Sequence, residues 1–206
     1  MDTSTRLAEL LCARLCHDLS GPLGTVTAAA EMAEEDGAYR AEAAHLMAEG
    51  AKQAARRLRL LRAAWAGDGG EMTRADLMEL ATGLPAAHRV RLDAAGLSPA
   101  APIPAERARV LLNVIMLAAE GLPAGGTVRL DEGLDADILV LIDGPRAAWP
   151  PGLAAALADP AAALDGPREV QAPFAVLLAR EAGLRLSLLL PIGQTGMAPP
   201  LRISPG

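Results

Sequence analysis

The sequence predicts an α+β protein, in which a long helical hairpin precedes an α/β sandwich of strands and helices. Residues 7–65 are almost free of glycine and proline, which is typical of two long helices. Beyond a glycine-rich link, short runs of alternating apolar residues stand between helical segments and indicate strands. Half of the 206 residues are apolar but only 2% are aromatic, so the core has to be built from Ala, Leu and Val.

The helical hairpin occupies residues 1–67. Gly21, Pro22 and Gly24 are expected to interrupt the first helix, because proline inside a helix costs about 3 kcal/mol. A turn at residues 36–37 leads into the second helix, which runs to about Trp65.

The first helix carries an apolar stripe that one hairpin can cover only in part. A second copy of the chain would complete a four-helix bundle, so we expect a homodimer. At 100° per residue the stripe is formed by Leu11, Leu15, Leu19, Pro22, Leu23, Val26, Ala30 and Ala33.

The second domain, residues 71–206, has the alternating pattern of an α+β sandwich with helices on one face of a sheet. The tail from Pro191 onward is rich in proline and glycine and is expected to be loosely held. Helices are predicted at 73–83, 104–121, 153–158 and 169–182, and strands at 89–93, 127–131, 138–142 and 184–190.

Composition excludes several classes of function. A net charge of −6 and a pI near 5.1 disfavour binding to nucleic acid or to an anionic membrane. No apolar run reaches the roughly 18 residues that a membrane span needs, and the first residues lack the cationic start of a secretory signal. Two cysteines provide no disulfide framework, so we expect a soluble cytoplasmic protein.

His17 is the candidate reactive residue. On the helical wheel it lies about 180° from the centre of the apolar stripe, which places the imidazole in solvent. Asp18 follows directly and could accept a hydrogen bond from Nδ1, which would leave Nε2 as the reactive nitrogen. An ordinary surface histidine fits the wheel equally well. The predicted neighbours on the outer face are mostly small: Leu10, Ala13, Ser20, Gly21, Gly24 and Ala28.

A basic stretch on the second helix is predicted to lie beside His17. Residues 52–62 contain five cationic side chains and no acidic one, in a chain that is acidic as a whole. Such a patch could attract an acidic partner and neutralise a phosphoryl group, although a solvated helix face would look the same.

The segment Cys16-His17-Asp18-Leu19-Ser20-Gly21-Pro22-Leu23 resembles the H-box of sensor histidine kinases. The resemblance implies that His17 is a phosphoacceptor on the first helix of a dimeric hairpin. It also implies that the second domain is a sandwich resembling the histidine-kinase ATPase domain, which has a Bergerat-like fold.

The second domain departs from the kinase pattern where ATP would bind. Residues 111–118 resemble the kinase N-box, but Leu117 stands where a second Asn would help to hold Mg²⁺. Residues 143–146 lie where a kinase has Asp-x-Gly-x-Gly, but the second glycine-rich turn, which allows a backbone to approach a nucleotide closely, is missing. Asn113 alone is better interpreted as a buried polar residue or cap than as a ligand.

An intact H-box beside a degenerate ATP site resembles the ChpT-type histidine phosphotransferases, and residues 11–19 are similar to their first helix. The resemblance implies a cytoplasmic phosphorelay in the bacterial cell cycle. Its partners would be the receiver domain of a CckA-like hybrid kinase and CtrA-like and CpdR-like response regulators. We expect no bound cofactor or metal, with Mg²⁺ supplied by the receiver. Asp18 would assist His17, and the receiver would dock on Leu10, Arg14, Ser20, Gly21, Arg56, Arg57 and Leu60.

Three other functions fit parts of the pattern. An ATP-dependent histidine kinase would need the missing ATP-site residues, and a non-catalytic dimerisation scaffold would give His17 no role. Haem or metal binding through Cys12, Cys16 and His17 is disfavoured, because one residue too many separates the cysteines. The wheel tilts both cysteines toward the packing side, where we expect them to be small core residues.

Overall fold

The computed structural model describes residues 2–35, 37–67, 69–189 and 198–206. A single turn of 3-10 helix, Gly37–Tyr39, joins the first two helices. The helices are α1 (Thr3–Glu35), α2 (Arg40–Trp65), α3 (Arg74–Ala81), α4 (Ala105–Glu120), α5 (Gly152–Ala158) and α6 (Gln171–Glu181), and the strands are β1 (Val90–Gly96), β2 (Gly126–Glu132), β3 (Ile138–Asp143), β4 (Leu184–Leu188) and β5 (Leu201–Pro205).

The predicted helical hairpin is confirmed, but the predicted interruption near Pro22 is wrong, because α1 continues through it. Proline removes one backbone donor, and close packing against α2 holds this part of the helix. A methyl group added at Gly50 of α2 would lie 2.8 Å from a Val26 methyl carbon and 3.0 Å from the Pro22 carbonyl oxygen. Glycine at position 50 therefore lets the two helices approach closely where α1 contains its proline.

The sheet has the order β1-β2-β3-β5-β4, with β1 and β2 parallel and the other neighbours antiparallel. Inward and outward residues alternate along the central strands, so Val128 and Leu130 are fully buried while Arg129 between them is exposed. The helices α4 and α6 pack on the buried side. The predicted sandwich with helices on one face is confirmed.

The end of the chain differs from the prediction. Residues 201–205 form β5, which lies between β3 and β4, and the side chains of Leu201 and Ile203 are fully buried. The flanking prolines hid the alternation of Leu201, Arg202 and Ile203, so the prediction of a loosely held tail is wrong for this segment. Residues 190–197 lie outside the described part of the chain.

The hydrophobic core is continuous from the hairpin into the sandwich. Leu60, Leu61 and Ala64 of α2 belong to the same buried cluster as Leu111 and Ile115 of α4. Shared burial of this kind stabilises both units by the same apolar contacts, so the hairpin is fixed against the sandwich.

Across the described ranges, no helix is both long enough and apolar enough to span a bilayer.

Candidate functional site

The imidazole of His17 lies on the outside of α1, and 65% of the side chain is exposed. The prediction that this ring faces solvent is confirmed. Ser20 and Gly21, one turn further along the helix, are also exposed and small. A folded partner can therefore approach the ring without meeting a bulky side chain.

Behind His17 lies the buried carboxylate of Asp18. Its Oδ1 atom is 3.4 Å from Nδ1 of His17 and accepts a hydrogen bond of 3.1 Å from Nε of Arg14. Its Oδ2 atom is 3.7 Å from Nη1 of Arg57. When the His17 ring carries its proton on Nδ1, Asp18 can accept a hydrogen bond from that N–H, and the lone pair of Nε2 then faces solvent.

Arg14 connects the hairpin to the sandwich. Besides its bond to Asp18, its Nη2 donates to Oε1 of Glu120 at 2.5 Å, and its Nη1 donates to the carbonyl oxygen of Arg168 at 3.3 Å. Burial alone would lower the pKa of Arg14, but the charges of Glu120 and Asp18 outweigh it and raise that pKa. Burial also raises the pKa of Glu120, although Arg14 acts in the opposite direction. The guanidinium is thus held charged between two carboxylates.

Arg57 approaches the same carboxylate from α2. Its Nε donates to the carbonyl oxygen of Gly83, in the segment between α3 and β1. Burial lowers the pKa of Arg57, and the attraction of Asp18 offsets this only in part. Asp18 is therefore enclosed by two buried guanidinium groups.

Four of the seven predicted docking residues are buried, so their prediction as a docking surface is wrong. The helical wheel gave the wrong centre for the buried side of α1. The sandwich covers a neighbouring side of the helix, on which the buried residues recur at spacing i, i+4. Leu10, Arg14 and Asp18 share this spacing, which is the one signal that could have revealed the covered side. The buried residues are Leu10, Arg14, Arg57 and Leu60, and the exposed ones are Ser20, Gly21 and Arg56.

Cys12 and Cys16 are both exposed, so the prediction that they are small core residues is wrong. They lie on the side of α1 that carries Leu23, which is 52% exposed, because α2 and the sandwich cover other sides. Among the residues that the structure describes, no three His, Cys, Asp or Glu side chains lie together as a metal site would require.

Asn113 is fully buried, as predicted for a polar core residue. Its Nδ2 donates to the carbonyl oxygens of Ala64 (2.8 Å) and Arg109 (2.9 Å), and its Oδ1 accepts from Nε2 of Gln171 (2.9 Å). The guanidinium of Arg109 donates to the carbonyl oxygens of Ala64 and Trp65. The last carbonyls of α2, which have no partner within the helix, are thus satisfied by side chains of α4. Sequence reasoning missed both Arg109 and Gln171 in this role.

The fold and the site fit a protein of the phosphotransferase class: a helical hairpin presents an exposed imidazole backed by a buried carboxylate and is fixed on an α/β sandwich. Residues 74–191 match the family model of the histidine phosphotransferase C-terminal domain. The chain is also 31% identical, over 191 residues, to Protein phosphotransferase ChpT of Brucella abortus (strain 2308), covering 88% of this chain and 89% of that protein. The chain therefore belongs to the histidine phosphotransferase family and is of the ChpT type.

A solved structure agrees with this fold. The structure titled "1.7 Angstrom Structure of a Bacterial Phosphotransferase" superimposes with a TM-score of 0.76 over 99% of this chain and 98% of that chain, at 24% identity. The histidine kinase domain from the Erythrobacter litoralis EL346 blue-light activated histidine kinase covers 77% of this chain and 81% of that chain at 15% identity. Its TM-score of 0.40 is too low to support an argument about fold.

Proposed function

We propose that this phosphotransferase carries a phosphoryl group on Nε2 of His17, between the aspartates of two receiver domains. The observation that carries the proposal is the placement of His17, with its ring in solvent and its Nδ1 atom 3.4 Å from a buried carboxylate. One receiver domain would belong to a hybrid kinase and the next to a response regulator.

The chemistry is a nucleophilic displacement at phosphorus. Neutral His17 attacks through Nε2, the Nε2–P bond forms, and the P–O bond to the donor aspartate breaks as its carboxylate leaves. The ring keeps its proton on Nδ1 and gains a positive charge, which the carboxylate of Asp18 stabilises. That stabilisation grows as the new bond forms, so it favours the transition state over the free histidine. Transfer onward to the next aspartate is the same step in reverse.

We propose that the receiver supplies Mg²⁺ and that this chain contributes the orientation of His17 and a docking face. Ser20 and Gly21 allow close approach along α1, and Arg56 adds an exposed positive charge on α2. Arg56 lines a cleft of about 400 Å³ with Gln53 and His88. Catalysis then consists mainly of positioning and charge neutralisation.

We propose that the sandwich binds no ATP. In a nucleotide site, the Asn of the N-box has to be free to act as a ligand, whereas both amide protons and the oxygen of Asn113 are engaged inside the core. Leu117 is a buried apolar side chain and offers no ligand to a metal ion. An ATP-dependent kinase is therefore the less favoured function.

The proposed functional unit is a homodimer. Leu23, which belongs to the apolar stripe predicted for the first helix, is 52% exposed, and Leu58 of α2 is 51% exposed. A second hairpin packed on these two side chains would bury them in a four-helix bundle. A pure dimerisation scaffold would share this bundle but would not need the exposed ring of His17.

For the partners we propose, from the ChpT-type resemblance, the receiver domain of a CckA-like hybrid kinase and CtrA-like and CpdR-like response regulators. The setting would be cytoplasmic control of the bacterial cell cycle. The net charge of −6 disfavours nucleic acid and anionic membrane as alternative partners.

The test is transfer from a receiver domain phosphorylated on its aspartate, followed by the appearance of phosphohistidine in this chain. His17→Ala should abolish transfer, whereas His45→Ala, which changes another exposed histidine of the hairpin, should transfer as the unaltered protein does. Undiminished transfer by His17→Ala would refute the mechanism. Loss of transfer with the dimer retained would exclude the scaffold.

A further inference from the structure

We infer that Glu120 and Arg14 are positioning residues for the phosphoacceptor. They form a chain of polar contacts from the sandwich to the reacting ring: Glu120 holds Arg14, Arg14 holds Asp18, and Asp18 faces Nδ1 of His17. This inference rests on the proposed function and assigns a role to the sandwich, which the transfer chemistry alone does not require.

Arg14 is suited to this role because it uses two edges of its guanidinium at once. Nε donates to Asp18 while Nη2 donates to Glu120, so the planar group fixes the direction in which each carboxylate points. A single ammonium group at this position could supply the charge but not both directions. Arg14 and Asp18 are buried, which makes rearrangement of the pair costly.

The placement of Glu120 is otherwise unfavourable. It is the last residue of α4, where the negative end of the helix dipole disfavours a carboxylate, and burial raises its pKa as well. An acidic side chain at such a position is explained by its bond to Arg14. The contact joins the end of α4 to the middle of α1, across the boundary between the sandwich and the hairpin.

The orientation of Asp18 matters because Nδ1 must hold the proton for Nε2 to be the nucleophile. Oδ2 of Asp18 makes no hydrogen bond to any described residue, and Nη1 of Arg57 lies 3.7 Å from it. Oδ1 therefore fixes the carboxylate, through the bond from Arg14. Without that bond, Asp18 would turn away from the His17 ring, and the ring would move its proton from Nδ1 toward Nε2. The ring would then lose its outward lone pair.

The test compares Glu120→Gln and Arg14→Lys with Glu169→Gln in the full chain. Glu169 is an exposed carboxylate close enough to influence Glu120, and the structure gives it no bond to Arg14, which makes it a matched control. The first readout is the ¹⁵N chemical shifts of the His17 ring, which report which nitrogen carries the proton. The second is the rate of transfer from a phosphorylated receiver at saturating and at low concentrations.

We expect Glu120→Gln and Arg14→Lys to shift His17 toward the tautomer protonated on Nε2. We expect both to lower the maximal rate of transfer by about tenfold, with little change in the receiver concentration at half-maximal rate. This is less than the roughly 10²–10⁴-fold that a positioned acid–base group itself contributes, because the two residues act through Asp18. Arg14→Lys keeps the charge, so its failure to restore the rate would support positioning over simple electrostatics.

Unchanged ring shifts and an unchanged maximal rate in both variants would overturn the inference, even if His17→Ala were inactive. Transfer by His17→Ala would instead overturn the proposed function, so the two failures are distinguishable. If Glu120→Gln does not fold, Arg14→Lys decides on the same two readouts, because its folding can be checked separately by circular dichroism.

Discussion

Replacing Asn113 should weaken the junction between the hairpin and the sandwich. Asn113→Ala removes two donated hydrogen bonds, to Ala64 and Arg109, and one accepted from Gln171, all within a fully buried site. A buried hydrogen bond contributes about 1 kcal/mol net, so the three together contribute about 3 kcal/mol. The carbonyl of Ala64 keeps a bond from Arg109, and Gln171 keeps one to the backbone of residue 113. We therefore expect a loss of about 2 kcal/mol in the free energy of unfolding.

Urea unfolding measures this loss. The midpoint urea concentration should fall, while the slope of the free energy of unfolding against urea concentration should stay unchanged. Trp65 lies beside the junction and makes an edge-to-face contact with Phe174, with ring centroids 6.4 Å apart. With Trp149, the other tryptophan of the chain, replaced by Phe, fluorescence reports the junction while circular dichroism reports the helices. The double variant Asn113→Ala/Gln171→Ala should lose about 1 kcal/mol less than the two single losses added together, because the pair shares one bond. A loss below about 0.5 kcal/mol for Asn113→Ala would refute the idea that this network holds the two units together.

Three further predictions concern assembly, nucleotide and pH. Leu23→Glu should give a monomer in sedimentation, since it places a charge on the exposed apolar stripe of α1. The control Leu134→Glu, at an 85% exposed position of the sandwich, should leave the dimer intact. A dimeric Leu23→Glu protein would argue against the four-helix bundle. Leu117→Asn restores the second Asn of the N-box but should still give no heat on titration with Mg²⁺ and ATP; measurable binding would contradict the assignment of Asn113 to the core. The pKa of Glu120 is raised above its ordinary 4.5 in the folded protein. Its contribution to the free energy of unfolding should therefore fall as the pH rises from about 4.5 through the raised pKa. Glu120→Gln should flatten that part of the profile of stability against pH, and an unchanged slope would show that another group titrates there.

Local pattern was enough to predict most elements of the fold. The hairpin and the helix that contains Asn113 follow from helical periodicity, and the central strands follow from alternation. The strand at residues 201–205 could not be found this way, because its five residues lie among prolines and its pairing with β3 and β4 depends on contacts distant in sequence. Strands of this kind are fixed by tertiary structure more than by propensity.

The site was predicted in part for the same reason. The exposure of His17 and its contact with Asp18 follow from the helical wheel and from adjacency in sequence. The inward direction of Arg14 and Arg57 depends on the sandwich lying against α1, which no local pattern in the hairpin shows. A charged residue on a long helix is usually a surface residue, so both of them were predicted to lie in the docking face.

The side-chain bonds that close the end of α2 have a consequence for motion. For a nucleotide-bearing domain to phosphorylate a histidine of its own chain, it has to swing across to that histidine and back. Here Asn113 and Arg109 fasten the last turn of α2 to α4, and Arg14 fastens α1 to the far end of the same helix. These contacts oppose such a movement of the sandwich relative to the hairpin. The ring of His17 therefore stays exposed to solvent, where a separate protein can reach it.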